Sequence, residues 1–66
     1  MQKQEIENKI LEFISLEKTN QEIAEEMKIS IKYVEKIIKS LFSAFKVKSR
    51  VGLVREYLKE KFAKLH

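Results

Sequence analysis

Apolar residues recur at intervals of three and four along most of the chain, which is the spacing of one face of an α-helix. The first such stripe predicts a helix over about residues 3–16, with Ile6, Ile10, Leu11, Phe13 and Ile14 on its apolar side. The chain contains no Pro and a single Gly, so it has few of the turn-forming residues that separate strands in hairpins. The pattern therefore predicts an all-α fold.

Short polar segments mark where three further helices begin. Thr19 and Glu22 have the spacing of a capping box, in which the two side chains accept hydrogen bonds from each other's backbone amides. They predict a short second helix that ends near Met27. Ser30 is placed to cap a third helix over about residues 31–45, and Ser49 is placed to cap a fourth.

Each of these helices has an apolar side for a shared core. The apolar positions are Ile23, Ala24 and Met27 in the second helix, Ile31, Val34, Ile37, Ile38, Leu41, Phe42 and Phe45 in the third, and Val51, Leu53, Val54, Tyr57, Leu58, Phe62 and Leu65 in the fourth. Two features stay open. Gly52 either permits a close contact or occupies an exposed site that tolerates it, and Phe62 and Leu65 either extend a dimer surface or cover the first helix.

Composition restricts the class of protein. A 66-residue chain buries only about 60% of the surface that its unfolded form exposes, so self-association would help it. With 44% apolar and 36% charged residues, no Cys and no apolar run near the roughly 20 residues of a membrane helix, we expect one cytoplasmic domain over residues 1–66. No signal peptide is expected, since residues 1–5 are polar.

The sequence offers no set of residues for catalysis. The single His is His66, at the end of the chain, and no nucleophile and base pair or Gly-rich phosphate loop accompanies it. Glu22, Glu25 and Glu26 are interpreted as solvent-facing charges. We expect no enzyme activity, no catalytic residue, no metal, no cofactor, no small-molecule substrate and no membrane partner.

Positive charge is concentrated in the second half of the chain. Six of the 14 Lys and Arg residues lie between Lys32 and Arg50, a stretch in which Glu35 is the one acidic residue. Lys32, Lys36 and Lys39 would share one face of the third helix. A capped short helix, a tight turn and a longer helix with a basic outer face is the layout of a helix-turn-helix, whose second helix enters the major groove of DNA.

Two adjacent segments carry a family resemblance: TNQEIAEEMKIS and YVEKIIKSLFSAFKVKSRVGLV. They are similar, without gaps, to the DNA-binding domain of LuxR/GerE-type regulators, which reads approximately S-N-x-E-I-A-x-x-L-x-I-S-x-x-T-V-K, then a longer helix and x-V-x-x-R. The resemblance covers roughly residues 7–57. Its matching residues are Asn20, Glu22, Ile23, Ala24, Met27, Ile29, Ser30, Val34, Val47 and Arg50.

The resemblance implies a stand-alone transcriptional regulator that binds double-stranded DNA at the nucleoid as a homodimer, with its third helix reading the major groove. The residues implied at DNA are Thr19, Asn20, Gln21, Ser30, Lys32, Tyr33, Glu35, Lys36, Lys39, Lys46, Lys48, Ser49 and Arg50. The residues implied at the dimer interface are Val51, Val54, Arg55 and Leu58. Because no receiver or ligand-sensing domain accompanies the helices, a regulatory protein partner is a further expectation.

Two departures from the family pattern matter. Glu17 stands where many members have Gly, and Glu35 stands where a Lys commonly contacts DNA. Glu35 has three interpretations: it pairs with Lys39 or Lys32 along the helix, it accepts from a cytosine amino group, or it repels DNA. Tyr33 packs beside the turn or donates to a phosphate. The alternative functions are a helix-turn-helix-derived protein-interaction or adaptor module, and a domain like region four of sigma factors.

Overall fold

The computed structural model describes residues 2–64, and within that range it contains four α-helices and no strand. They are α1 (Lys3–Ser15), α2 (Asn20–Met27), α3 (Ile31–Phe45) and α4 (Arg50–Ala63). These bounds confirm the predicted all-α class and agree closely with the predicted helices. Leu65 and His66, which were named above, lie outside the described residues.

The predicted capping box begins α2. The Glu22 amide donates to Oγ1 of Thr19 at 3.1 Å, and the Thr19 amide donates to Oε1 of Glu22 at 2.8 Å. The bonds with the Thr19 backbone and side chain, aided by the charge of Lys18, hold the pKa of the Glu22 carboxyl below its usual value. Because this pKa is lower in the folded state, the stabilisation is present above the unfolded pKa and is lost as pH falls through the folded one.

Single serine caps begin the next two helices, as predicted. The Tyr33 amide donates to Oγ of Ser30 at 3.1 Å, and the Gly52 amide donates to Oγ of Ser49 at 3.2 Å. Each bond satisfies one of the backbone donors that a helix leaves unpaired at its N-terminus. The three caps together fix where α2, α3 and α4 begin.

The first three helices end in the same way, with a non-glycine residue in the left-handed conformation. These residues are Glu17 (φ 62°), Lys28 (φ 57°) and Lys46 (φ 57°). The amide after each one donates back to a carbonyl five residues earlier, at 3.0–3.1 Å: Lys18 to Phe13, Ile29 to Ala24 and Val47 to Phe42. This is the Schellman closure, which pairs carbonyls that a helix end would leave open.

The core consists of ten buried apolar side chains from all four helices. They are Ile10, Leu11, Ile14, Ile23, Ala24, Val34, Ile37, Ile38, Leu41 and Leu53. Helix α3 supplies four of them and packs against each of the other three helices, while α1 also packs against α4. Ala24 is buried at 6% exposure in α2, whose main packing partner is α3, as its small side chain predicted.

Some of the predicted apolar positions are exposed. Ile31 is 42% exposed because it is the first residue of α3 and lies before the part of the helix that its neighbours cover. In α4 only Leu53 is fully buried, while Val51, Leu58 and Phe62 are exposed. A core shared by four short helices covers only one side of α4, so Val51, Leu58 and Phe62 lie outside it.

Gly52 makes a close contact, which supports one of its two interpretations. A Cβ atom at this position would lie 2.9 Å from Cβ and 3.2 Å from Cγ1 of Val47. Val47 follows the left-handed residue Lys46 and packs against the core. The absence of a side chain at Gly52 therefore lets α4 begin directly beneath the end of α3.

We expect Gly52→Ala to destabilise the protein by about 1–3 kcal/mol, because the added methyl group overlaps Val47 and neither backbone can move freely. In an open helical position the same change would instead stabilise by up to about 1 kcal/mol. Urea unfolding followed by circular dichroism measures the difference, with Lys59→Ala at an exposed site of α4 as the control. A Gly52→Ala protein that is more stable than the parent would contradict the contact.

Candidate nucleic-acid interface

The outer face of α3 carries four charged side chains. Lys32, Glu35, Lys36 and Lys39 are all exposed, and their spacing places them on one side of the helix. The opposite side is held in the core by its buried apolar residues. The serine cap and the core contacts thus fix both the start of α3 and its rotation, and they present these four side chains outward as predicted.

Glu35 forms no ion pair with its lysine neighbours on α3. Within residues 2–64 the ion pairs are Lys9–Glu12 at 3.7 Å and Lys18–Glu26 at 3.1 Å, and neither involves α3. An ion pair of Glu35 with Lys32 or Lys39, the first of its three interpretations, is therefore absent from residues 2–64. Its carboxylate faces solvent, where it can accept a hydrogen bond from a ligand or repel one.

Tyr33 lies at the edge of this face. Its side chain is half-buried and packs against the core cluster, while its backbone amide is bound to the Ser30 cap. The structure thus contains the packing interaction that was the first of its two interpretations. The packed ring places Tyr33 between the turn and the basic face.

A second group of predicted residues meets where α2 and α4 begin. Nη1 of Arg50 donates to Oδ1 of Asn20 at 2.6 Å, and Nη2 of Arg50 donates to the Lys18 carbonyl at 2.6 Å. The Arg50 guanidinium therefore joins the first residue of α4 to the first residue of α2 and to the connection before it. Thr19 and Gln21 remain exposed beside this link.

Lys18 is the member of this group that the sequence did not reveal. It is separated from Arg50 by 32 positions, and it contributes a backbone carbonyl, which any residue type could provide. Its side chain pairs with Glu26 at 3.1 Å, and its Nζ atom lies 5.8 Å from the centre of the Phe13 ring. These contacts hold the α1–α2 connection against both helices.

The remaining predicted residues keep groups that can bind an anion. Thr19, Ser30 and Ser49 use their hydroxyl oxygens to accept from backbone amides, so each O–H remains able to donate. Lys46 and Lys48 lie exposed in the α3–α4 connection. The helix-turn-helix thus offers lysines on α3 and hydroxyl groups at the three helix starts.

Comparison with known families identifies this arrangement. Residues 5–57 match the family described as GerE, bacterial regulatory proteins, luxR family. The chain belongs to the luxR family. This family consists of DNA-binding regulatory domains rather than enzymes, and its helix-turn-helix corresponds to α2 and α3 here. No match was found among curated proteins or among solved structures.

The luxR-family match ends inside α4, and the helix continues past it to Ala63. The side of α4 that faces away from the core is apolar: Val51 is 68%, Leu58 42% and Phe62 62% exposed, and Val54 is half-buried. Because Phe62 is so exposed, the interpretation in which it covers the first helix is wrong. Three of the four predicted dimer residues therefore form one apolar stripe, with exposed Arg55 beside it.

Residues 2–64 lack two kinds of structural feature. That part of the luxR-family chain contains no helix with the length and apolar character needed to cross a membrane. It also contains no group of three or more His, Cys, Asp or Glu side chains placed to hold a metal ion.

We expect Arg50→Lys to destabilise the protein by about 1–2 kcal/mol, because an ammonium group cannot reproduce both guanidinium hydrogen bonds. The control is Lys59→Arg, the reverse exchange of the same two residue types at an exposed site of the same helix; its change should stay within about 0.5 kcal/mol. Urea unfolding monitors both variants. Equal effects of the two substitutions would show that the link contributes nothing.

Proposed function

We propose that this protein is a sequence-specific regulator of transcription that acts as a homodimer on double-stranded DNA, with α3 as its recognition helix. The observation that carries the proposal is the exposed face of α3, where three lysines form no ion pair within residues 2–64. Its membership of a DNA-binding family agrees with this face. We further propose that residues 1–66 act as one domain in the cytoplasm, at the nucleoid.

In this proposal one group of residues lies in the major groove, and a second group binds phosphates on either side of it. Lys32, Glu35, Lys36 and Lys39 would lie against base edges and the nearest phosphates, since a recognition helix inserts its outer face into the major groove. Tyr33 and Ser30 would lie at the rim of the groove. Phosphates on either side would be bound by Thr19, Gln21, Lys46, Lys48 and Ser49, all of which are exposed.

Arg50 and Asn20 take a different role from the other residues. Two of the guanidinium N–H groups are already used, one with Asn20 and one with Lys18, and both side chains are half-buried. We infer that Arg50 positions the start of α2 relative to α4, and that its remaining donors are what it can offer to a phosphate. The link would thereby transmit the orientation of the dimer helix to the helix-turn-helix.

The homodimer is supported by the exposed stripe of α4. Val51, Val54 and Leu58 present apolar surface that no other part of the described chain covers completely, and Arg55 adjoins them. Helix-turn-helix dimers place two recognition helices about one turn of DNA apart, so a two-fold axis at α4 would give an operator of two inverted half-sites. Burial of the stripe would also add to a small core.

One observation favours a second function. The exposed Glu35 carboxylate has no ion-pair partner among residues 2–64, and a negative charge at the centre of a basic face weakens binding to a polyanion. A protein-interaction or adaptor module, recruited by a regulatory protein partner, would explain it. The luxR-family match favours the DNA-binding function over this one, and over a sigma-like domain.

The lysines of α3 should control the salt dependence of DNA binding. We expect the affinity for duplex DNA to fall with salt at a log–log slope of about −0.9 for each neutralised phosphate, and Lys36→Gln, Lys39→Gln and Lys48→Gln each to reduce the slope by about one such step. Lys59→Gln, exposed on α4, is the matched control and should leave the slope unchanged. Absence of duplex binding at low salt would contradict the DNA-binding function and favour the adaptor.

Glu35→Gln should alter which duplexes are selected from a random pool. If Glu35 accepts from a cytosine amino group, the variant should lose about 1–3 kcal/mol of preference at one position of each half-site and keep the others. Glu25→Gln, exposed on α2, is the control. An equal gain of affinity for every duplex would show that Glu35 only repels DNA, and wild-type sites without a second half-site would contradict the dimer.

A further inference from the structure

An open groove runs between α4 and the end of α1. One wall consists of the exposed side of α4, with Val51, Val54 and Leu58. The other wall consists of the last turn of α1 and the connection to α2, where Leu16 is 62% exposed. The α4 wall is therefore largely apolar, and Leu16 is the exposed apolar residue of the other wall, one that the dimer interface expected from the sequence does not include.

Opposite charges stand on the two walls. Glu17 lies beside Leu16, and Arg55 lies on α4 between Val54 and Leu58. Both side chains are exposed, and neither forms an ion pair with any residue in the described range 2–64. Glu17 also occupies a left-handed backbone position, with φ 62°, that disfavours a residue with a side chain. Its carboxylate thus projects from a turn that is costly for the chain to hold.

We propose that this groove receives α4 of a second copy of the chain, with Leu16 against the partner's apolar stripe and Glu17 paired with Arg55 of the partner subunit. The proposal deepens the homodimer of the proposed function and rests on it. In a two-fold dimer each contact occurs twice, so Glu17 of one protomer meets Arg55 of its partner while its own Arg55 meets the other Glu17.

The charge pattern favours a second copy of the chain as the occupant of the groove. An apolar stripe that carries a cation fits a groove wall that offers an exposed leucine and an anion, and this chain has both halves. Lys18 and Arg50 also line the groove, but Lys18 pairs with Glu26, and Arg50 donates to Asn20 and to the Lys18 carbonyl. Glu17 and Arg55 are therefore the lining charges that make no such contact within residues 2–64, and a small apolar ligand would match neither of them. The loop before α2 thereby becomes part of the dimer interface, next to the Arg50 link.

Replacement of Leu16 by a polar residue of similar size tests the proposed apolar contact between Leu16 and the partner's α4. We expect Leu16→Gln to raise the dimer dissociation constant of the full chain by about tenfold, because the dimer would no longer bury the apolar surface of Leu16 against the partner's α4. Ile31→Gln is the matched control, since Ile31 is also an exposed aliphatic residue but lies on α3 outside the groove. Sedimentation equilibrium measures both constants, and circular dichroism verifies that both variants fold.

A mixing experiment tests the pairing between protomers. Glu17→Arg and Arg55→Glu should each weaken their own homodimer, because both place like charges opposite one another. The two variants mixed together should form a heterodimer in which both pairs are again opposite. Native mass spectrometry detects it. A mixture of Glu25→Arg and Lys39→Glu carries the same changes of charge outside the groove and should show no such preference.

The outcomes separate this inference from the proposed function. If the wild-type chain stays monomeric at high concentration and on DNA, the homodimer itself is wrong. If the wild type forms a dimer that Leu58→Glu abolishes, while Leu16→Gln and the mixed variants behave as their controls do, the homodimer stands and the groove proposal is wrong. Loss of the dimer with Leu16→Gln, together with heterodimer formation, supports both.

Discussion

Burial of one side of α3 is the constraint on which the rest of this fold depends. Residues 2–64 contain ten buried apolar residues, and α3 supplies four of them and contacts all three other helices. A small domain has no second core to take over if this packing fails. Since α3 cannot rotate without exposing Val34, Ile37, Ile38 or Leu41, the outward direction of its lysines follows from the packing of its inner side.

The Arg50 link, which is the pair of hydrogen bonds from Arg50 to Asn20 and to the Lys18 carbonyl, holds the start of α2 next to the start of α4. Helix α2 packs mainly against α3, so the core alone does not hold its N-terminus relative to α4. A guanidinium that donates to Asn20 and to the Lys18 carbonyl ties these elements at 2.6 Å without adding apolar volume. The proposed recognition surface and the proposed dimer helix are thereby mechanically connected through one side chain.

Local features of this fold could be predicted from the sequence, and features that join distant residues could not. The capping box and the caps at Ser30 and Ser49 depend on residues three positions apart, so spacing reveals them. The Arg50 link joins positions 30 and 32 apart in the chain and uses a backbone carbonyl that no residue type marks. The exposure of Ile31, and the lack of an ion-pair partner for Glu35 in the part of the chain that the structure describes, likewise depend on which neighbours tertiary packing supplies.

The left-handed residues at the helix ends bear on how the domain deforms. Glycine at such a position reaches many backbone conformations, whereas Lys28 and Lys46 are restricted to a narrow region of φ and ψ. Each of these two turns is also closed by a Schellman bond and by an apolar residue packed on the core. The joints before and after α3 are consequently stiff. In the proposed function, the mechanical adjustment on binding would fall on the duplex, and the bendability of the DNA site would become part of what the protein recognises.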